Sequence, residues 1–286
     1  MNDLNWTEAQ NNIVRDLIAE EIEKARLSHT FIPELKLDET ARSVSADEYD
    51  STTNVVNDIS TIPLVEVTAN IRLTKLQAED VDLGAALLLI RRAANRLARA
   101  HDAIVFAGQP AANKLPATAP SQPIDVVTAT GGQKNDGLSA TATPPTPPVE
   151  VGPPAEGESY GENLVAKVAD ALVRLETAGY IGSYVLVLGQ TLFTDANTPS
   201  AGSLVLPKDR LEKLLAGGPV HRSSVLPKNH GLLMSLGGEP MDRAVAVAPK
   251  FEFLRIENNE TRVCRVFERF ALRLKEKDSV IKLIRK

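Results

Sequence analysis

Cysteine is almost missing from this sequence, since Cys264 is the only one. No disulfide can form within the chain, and this usage is typical of proteins made in a reducing cytoplasm. The sequence also lacks an apolar run near the roughly 18 to 20 residues that a membrane-spanning helix needs. Residues 1–6 lack the basic and then apolar build of a signal peptide. We therefore expect no membrane association and a protein that stays where it is made.

Side chains that carry out catalysis or bind metals are few and scattered. The histidines form no HExxH motif and no i,i+4 ligand pair; they are His29, His101, His221 and His230. No nucleophile elbow, P-loop or dinucleotide-binding glycine motif follows a strand pattern. Glu79 and Asp80 stand at a helix start, where capping explains them, and packing explains Cys264 beside Val263. We predict no catalytic, cofactor or metal site and no enzymatic activity.

Excess positive charge is missing as well. The 286 residues have a formal net charge of −5, which gives no overall attraction toward nucleic acid or anionic membranes. Any nucleic-acid contact must therefore be local. Apolar residues, by contrast, make up 43% of the chain, enough for a core in one large domain or two medium ones.

The N-terminal region has the pattern of an amphipathic helix. Within residues 7–27, apolar side chains such as Ile18 and Ile22 recur at three- and four-residue spacing, and acidic residues fill the other face. Thr7 and Gln10 have the spacing of a capping box. The sequence predicts that the helix begins at this box.

A long polar stretch separates this helix from the first strand. Residues 28–61 are irregular and acidic with few large apolar side chains, which predicts an extended loop. Residues 64–74 then alternate apolar and polar side chains, which predicts a strand with one buried and one solvated face.

The longest helical pattern covers residues 82–107 and carries a basic face. Its apolar residues follow a four-three rhythm, and Gly108 marks its end, with Asp80 or Asp82 as candidates to cap its start. A separate face holds the basic residues of the predicted site, Arg92, Arg96 and Arg99. Two interpretations stay open: a solvated helix side, or a surface that meets an acidic neighbour or packaged nucleic acid.

Residues 109–159 change abruptly in composition to Pro, Ala, Thr and Gly, including the proline-rich run 144–148. Such a segment cannot form a core of its own and is interpreted as an insertion or linker. Ile124, Val126 and Val127 predict one short strand inside it. The segment either reaches across a neighbouring subunit, because proline-rich chain is extended, or forms a surface loop.

The second half of the chain has an α/β pattern. Helices are predicted at residues 164–175 and 207–216, and strands at residues 184–188, 231–236, 244–248 and 251–256. The last strand has apolar residues on one face and basic residues on the other, namely Arg265, Arg269, Arg273 and Lys275. Asn258 and Asn259 predict the turn before it.

Short segments in this order resemble encapsulin shell proteins, which belong to the tailed-phage capsid lineage. The segments are residues 62–69 (IPLVEVTA), 102–108 (DAIVFAG), 182–187 (GSYVLV), 215–220 (LAGGPV) and 267–272 (FERFAL). Each is short, and it is their collinear order over nearly the whole chain outside the insertion that carries the resemblance.

The resemblance implies an α+β, Hong Kong 97-like capsid fold. Its parts are implied to be an N-terminal arm, an extended loop that overlaps the next subunit, a peripheral domain with the long helix, the insertion, and an axial α/β domain. The implied boundaries are residues 1–35, 36–75, 76–110 with 262–286, 111–159 and 160–261, respectively. An acidic loop with little apolar surface is also easier to understand when another copy of the chain orders it, and shells repeat such a contact by symmetry.

Departures from the encapsulin pattern favour a phage capsid protein over an encapsulin. Residues 27–34 replace a Gly-Pro-rich, Trp-containing stretch, residues 277–279 replace a Pro-Glu-Ala motif, and the proline-rich insertion is atypical. We therefore predict a phage or prophage major capsid protein that encloses DNA, in a virion assembled in the host bacterial cytoplasm. The alternative is an encapsulin nanocompartment shell in the bacterial cytoplasm.

The partners follow from this resemblance. The main partner is the chain itself, in pentamers and hexamers of a closed icosahedral shell. Packaged DNA and scaffold, portal or decoration proteins are the further partners of a capsid, whereas a tagged cargo enzyme is the partner of an encapsulin.

Overall fold

The computed structural model describes residues 4–50, 53–112, 127–131, 136–141, 147–154, 159–200, 205–257 and 260–286. Its helices are α1 (Glu8–Ala25), α2 (Lys75–Glu79), α3 (Gly84–Ala107), α4 (Gln109–Ala112), α5 (Leu138–Thr141), α6 (Tyr160–Thr177), α7 (Gln190–Ala196) and α8 (Pro207–Leu214). Its strands are β1 (Glu34–Lys36), β2 (Ser43–Ser45), β3 (Glu48–Asp50), β4 (Val55–Asn57), β5 (Thr61–Pro63), β6 (Val65–Leu73), β7 (Val127–Gly131), β8 (Val149–Val151), β9 (Tyr184–Leu188), β10 (Val220–Arg222), β11 (His230–Ser235), β12 (Met241–Glu257), β13 (Thr261–Leu274) and β14 (Val280–Arg285). None of these helices has the length and hydrophobicity needed to cross a membrane.

Two five-stranded sheets organise the chain, in agreement with the predicted α+β class. The first sheet has the strand order β1-β12-β13-β6-β7, and the second has the order β10-β9-β11-β14-β8. Helices α1 and α3 pack on the first sheet, and α6, α7 and α8 pack on one face of the second. Each sheet thus has its own layer of helices, as layered domains require.

The strand β6 shows why the first sheet has one buried face. Val65, Val67 and Leu73 alternate with the half-exposed or exposed Glu66 and Arg72, so the even and odd positions point to opposite faces. The apolar face packs against α3, and the predicted strand at residues 64–74 is confirmed.

Helix α3 begins and ends close to the predicted residues. The Asp80 carboxylate accepts a hydrogen bond from the Gly84 backbone N–H at 3.2 Å, which satisfies one of the free donors at the helix start. The N-cap residue itself is Leu83, so neither predicted candidate occupies the cap position, and Asp80 supplies this one acceptor from the preceding turn. At the other end Gly108 has φ of 83°, a conformation that favours glycine. The capping box of Thr7 and Gln10 on α1 is also confirmed.

The loop 215–220 shows why glycine is needed there. Gly217 has φ of 84°, and a Cβ on Gly218 would stand 2.1 Å from the Tyr184 carbonyl oxygen. The backbone can then turn sharply from α8 into β10, which pairs in parallel with β9.

The strands of the C-terminal region differ from the predicted ones. The predicted strands at residues 244–248 and 251–256 are a single strand, β12, which contains bulges between Val245 and Lys250. Pro249 lies in this irregular part, where a missing backbone N–H is tolerated, and it interrupts the apolar pattern in the sequence. Strand β14 was not predicted.

Two strands connect parts of the chain that the implied domain boundaries separate, and those boundaries stay a prediction. Strand β12, within residues 160–261 of the predicted axial domain, pairs with β13 in the first sheet. Strand β14, within residues 262–286 of the predicted peripheral domain, pairs with β11 in the second sheet. The chain crosses between the sheets at a short polar turn, Lys277–Ser279, which the sequence pattern does not distinguish from a surface loop.

The described parts of the insertion pack on the chain's own sheets. Strand β7 adds to the edge of the first sheet beside β6, and β8 adds to the edge of the second beside β14. Leu138 and Val151 are fully buried against these layers. Of the predicted short strand, Val127 opens β7, whereas Ile124 and Val126 lie outside the described residues, as do Asn258 and Asn259 of the predicted turn.

Candidate functional site

The extended loop is a two-part ribbon rather than an irregular coil. Strand β2 pairs with β5, and farther out β3 pairs with β4, both antiparallel. The backbone groups of the loop therefore bond to one another, which allows a polar segment to project from the body of the subunit. The predicted loop is confirmed as extended, with strands that its weak apolar pattern did not reveal.

Ion pairs hold the base of this ribbon against the first sheet. Arg273 of β13 donates to both carboxylate oxygens of Asp242, at 2.8 and 2.6 Å, and also pairs with Asp47 at the start of the ribbon. Lys277 pairs with Glu48, and the Tyr49 N–H donates to the Lys275 carbonyl at 2.7 Å. The bidentate pair with Asp242 of β12 orients the Arg273 guanidinium within the first sheet, and Arg273 in turn holds Asp47 of the ribbon.

The second half of the ribbon exposes apolar side chains. Val55 and Val56 of β4 are 57% and 55% exposed, and Ile59, between β4 and β5, is 91% exposed. Val55 and Val56 are consecutive in the strand and point to opposite faces, so apolar side chains are available on both faces of the ribbon. Burying one such side chain in a contact with another protein stabilises the contact by about 1.5–3 kcal/mol.

A buried ionic cluster fixes the junction between α1 and the ribbon. The Arg26 Nη2 donates to Glu268 Oε2 at 2.6 Å, and the His101 Nδ1 lies 3.0 Å from Glu268 Oε1. Glu268 and His101 are fully buried, and Arg26 is 5% exposed. Since a carboxylate only accepts hydrogen bonds, His101 Nδ1 carries the proton.

Burial and charge act against each other in this cluster. Burial alone opposes ionisation of Glu268, but the Arg26 charge and the contact with His101 outweigh it and lower the pKa of the carboxyl to about 2. Burial, assisted by the charge of Arg26, lowers the pKa of His101 to about 3, so the ring is neutral at pH 7. The cluster therefore consists of the Arg26–Glu268 ion pair and the neutral imidazole of His101, which donates a hydrogen bond to the carboxylate.

Residues beside this cluster also bind the backbone of the segment that follows α1. Asp102 of α3 accepts hydrogen bonds from the backbone N–H groups of Leu27 and Ser28, at 2.7 and 3.0 Å. Arg243 of β12 donates to the Ile32 carbonyl at 3.2 Å. Because the chain from α1 to β1 is bonded at several points, the path into the ribbon is set by buried polar contacts.

Sequence reasoning missed this cluster, although two signals were present. Glu268 stands on the apolar face of β13, between Val266 and Phe270, where a charged residue is out of place. His101 likewise falls on the buried face of α3 together with Ile90. A charged residue in an apolar pattern indicates a buried partner, but only the fold shows that the partner is Arg26.

The predicted basic face of α3 is present and lies away from the core. Arg92 is exposed, and Arg96 and Arg99 are half-buried. Burial and the positive charge of Arg92 lower the pKa of the Arg96 guanidinium. The structure therefore brings the three predicted residues together on one surface of the helix.

The groups that elsewhere carry out catalysis have structural surroundings here. Burial raises the pKa of the Cys264 thiol to about 12, so it is a packed, protonated side chain. Burial lowers the pKa values of His221 and His230, which lie on different strands. Across the described ranges, no group of three or more His, Cys, Asp or Glu side chains has an arrangement that could hold a metal ion.

Comparison with known proteins supports a shell fold over the full length. The chain is similar to the virus-like particle protein of Pyrococcus furiosus, with a TM-score of 0.65, 12% identity, and coverage of 95% of this chain and 98% of that one. It is similar to the capsid protein of Myoviridae Phage XM1, with a TM-score of 0.57, 14% identity, and coverage of 91% and 92%. It is also similar to the SrpI encapsulin of Synechococcus elongatus PCC 7942, with a TM-score of 0.57, 10% identity, and coverage of 89% and 85%.

These likenesses define the class of protein: the chain has the Hong Kong 97-like capsid fold shared by phage capsids and encapsulins. A family model described as "Encapsulating protein for peroxidase" matches residues 137–271, a little under half of the chain. No curated protein matches by sequence. The predicted resemblance to the capsid and encapsulin lineage is thus confirmed at the level of the fold.

Proposed function

We propose that this chain is the structural subunit of a closed icosahedral shell, and specifically a phage or prophage major capsid protein that encloses DNA. The observation that carries the proposal is the ribbon β2–β5, which is held against the first sheet through Asp47 and Glu48 and exposes apolar side chains on β4 and at Ile59. Such a projection has no role in an isolated subunit, but it is suited to contact another copy. Closed symmetry repeats that contact around the particle.

A structural rather than enzymatic role follows from the same features. The ionisable side chains with strongly lowered pKa values, Glu268 and His101, are buried in contact with one another. They hold the chain after α1 in place and do not line a cleft. In this proposal the chain assembles into a shell in the cytoplasm of a bacterial host. Scaffold, portal or decoration proteins are its further partners.

An encapsulin nanocompartment is the second candidate, and the matching family model over residues 137–271 favours it. In that case the shell would enclose a tagged cargo enzyme instead of DNA. Both candidates share the shell and differ in the contents.

The decisive test is to express the chain alone, pass it over a sizing column and view the product by negative-stain electron microscopy. We expect particles in the megadalton range rather than a 30.8 kDa monomer. Uniform closed particles from the chain alone would favour the encapsulin candidate, and mass spectrometry of particles purified from the native host would then identify a cargo enzyme. Tubes, pentamers, hexamers or irregular particles would favour a phage capsid, which needs scaffold and portal proteins to assemble. A monomer at every concentration would contradict both.

A further inference from the structure

A surface pocket opens in the second sheet where the parallel strands β9 and β10 end, at Leu188 and Arg222. It has a volume of about 470 Å³ and is lined by Gln190, the first residue of α7, and by residues 222–228. Most of this lining belongs to the β10–β11 loop, which connects the two strands. Ligands of open α/β sheets bind at the carboxyl ends of parallel strands. The pocket therefore lies where this kind of sheet normally holds a ligand.

The β10–β11 loop is held in place by the chain's own contacts. The Thr191 backbone N–H donates to the Lys228 carbonyl at 3.0 Å, and Leu226 is buried in the core below the loop. A Cβ on Gly189 would stand 2.2 Å from the Pro227 carbonyl oxygen, so glycine is needed for the loop to approach the start of α7. Because these contacts form without a ligand, the pocket is preorganised and a ligand loses little free energy in ordering it.

The lining of the pocket carries positive charge. Arg222 and Lys228 both line it and are both exposed. Neither side chain forms an ion pair with any residue that the structure describes, and no carboxylate is among the lining residues. The acidic residue of α7, Asp195, pairs with Arg285 at 2.7 Å instead. Two cations in one concave surface without a carboxylate in its lining attract an anion.

The side chains around the pocket distinguish between kinds of anion. Besides the guanidinium of Arg222 and the ammonium of Lys228, the lining includes the hydroxyl of Ser224 and the amide of Gln190. A phosphate group presents more acceptor oxygens than a carboxylate, so it can accept hydrogen bonds from more of these donors. The planar guanidinium also binds phosphate in bidentate fashion.

We propose that this pocket binds a phosphate group through Arg222, Lys228 and Ser224, with Gln190 as a further donor. A free phosphate anion and a phosphate of a nucleic-acid backbone have the same chemistry at these side chains, and the test below separates the two sources. All four side chains belong to one folded chain. The site is therefore independent of whether the proposed shell encloses DNA or an enzyme.

The test measures the binding of inorganic phosphate to the full chain by phosphorus NMR, because a bound fraction broadens the phosphate resonance. The double variant Arg222→Gln/Lys228→Gln removes both cations of the pocket. The matched control Arg174→Gln/Lys213→Gln removes one arginine and one lysine that are exposed on α6 and α8. We expect the Kd for phosphate to increase at least about tenfold in the pocket variant, because charge-assisted hydrogen bonds are lost. The control should bind phosphate as the wild type does.

A second variant, Ser224→Asp, keeps both cations and places a carboxylate in the pocket. It should lose phosphate binding as well, because the new carboxylate competes for the same donors and repels the anion. Circular dichroism and Trp6 fluorescence check that each protein is folded. Absence of broadening with the wild type, or equal binding by the wild type and the two pocket variants, would overturn the phosphate site.

A labelled single-stranded oligonucleotide of about 10 nucleotides identifies the source of the phosphate. If it binds the wild type, is displaced by inorganic phosphate and binds the pocket variants more weakly, the site takes a nucleic-acid phosphate. If inorganic phosphate alone depends on the pocket, the ligand is a free phosphate. The proposed function fails on a separate observation, the absence of particles by electron microscopy, so the two can fail independently.

Discussion

Glu268 shows how much a single residue determines in this subunit. It is fully buried, and it connects Arg26 at the end of α1 with His101 on α3. Because desolvating a charge is expensive, the carboxylate is tolerated only with its partners in place. The residue therefore ties three parts of the chain that are distant in sequence.

Replacing Glu268 with Gln should destabilise the subunit strongly. The Arg26 guanidinium would stay buried without a counter-charge, and breaking a buried pair in this way costs about 3–5 kcal/mol. The free energy of unfolding can be measured by urea denaturation of the unassembled subunit at pH 7, with Trp6, the only tryptophan, as the fluorescent probe. Asp170→Asn, which removes the exposed partner of Lys167, serves as the control and should cost less than about 1 kcal/mol. Equal losses in the two variants would contradict this account of the cluster.

His101 should make the subunit sensitive to acid. Its folded pKa of about 3 lies below its ordinary value of 6.5, so between these values the unfolded chain binds a proton that the folded chain does not. The contribution of neutral His101 to the free energy of unfolding is therefore complete above pH 6.5 and decreases as the pH falls toward 3. We expect the urea midpoint of the wild type to fall between pH 6.5 and 5.

The variant His101→Gln isolates this effect from the other groups that titrate. Burial also lowers the pKa values of His221 and His230, which act in the same direction, whereas burial raises the pKa of Asp102, which acts in the opposite one. These groups remain in both proteins. The fall of the midpoint should be smaller in the variant, and parallel pH profiles would rule out His101 as its cause.

At the scale of elements, the ribbon has one set of contacts that stabilises the folded subunit and another that, in the proposed shell, acts in assembly. Arg273 and Lys277 hold Asp47 and Glu48 of its first half, whereas Ile59 of its second half is 91% exposed. The ion pairs act within one subunit. In the proposed shell, Ile59 contacts another subunit.

Ile59→Asp should therefore abolish closed particles without changing the fold. A carboxylate at an apolar contact between subunits would be desolvated without a partner, whereas in the isolated subunit it stays in water. Electron microscopy would show the loss of particles, and urea denaturation should give an unfolding free energy within about 0.5 kcal/mol of the wild type. Val173→Asp, at a side chain of α6 that is 60% exposed, is the matched control. Normal particles from the Ile59 variant would show that this exposed side of the ribbon is not a subunit contact.

The elements differ in how well the sequence predicts them. Helix α3 and strand β6 have strong periodic patterns and clear ends, and both were predicted within a few residues. Strand β14 pairs with β11, which is distant in sequence, and each strand of the ribbon has only three residues, so no local pattern identifies them. Strand β12 was predicted as two because Pro249 interrupts its pattern.

The whole molecule should become more stable when it assembles. Contacts that form between folded subunits and not between unfolded chains stabilise the folded state by mass action. Closed particles should therefore unfold at a higher temperature than dispersed subunits of the same preparation, as calorimetry of the two sizing-column fractions would show. Equal unfolding temperatures in the two fractions would mean that assembly contributes little to stability.

The sequence by itself determined the α+β class, the long helix with its arginine face, the extended loop and, through short collinear segments, the shell lineage. These features are local, because they depend on periodicity, on turn residues or on the order of motifs along the chain. Only the tertiary structure decided that β12 belongs to the first sheet, that β14 belongs to the second, and that Glu268 meets Arg26. It also decided that the β13 arginines Arg265, Arg269 and Arg273 are neutralised by carboxylates of other strands and of the ribbon. Such pairings depend on which distant segments the fold brings together, and charge along a sequence does not reveal its partner in space.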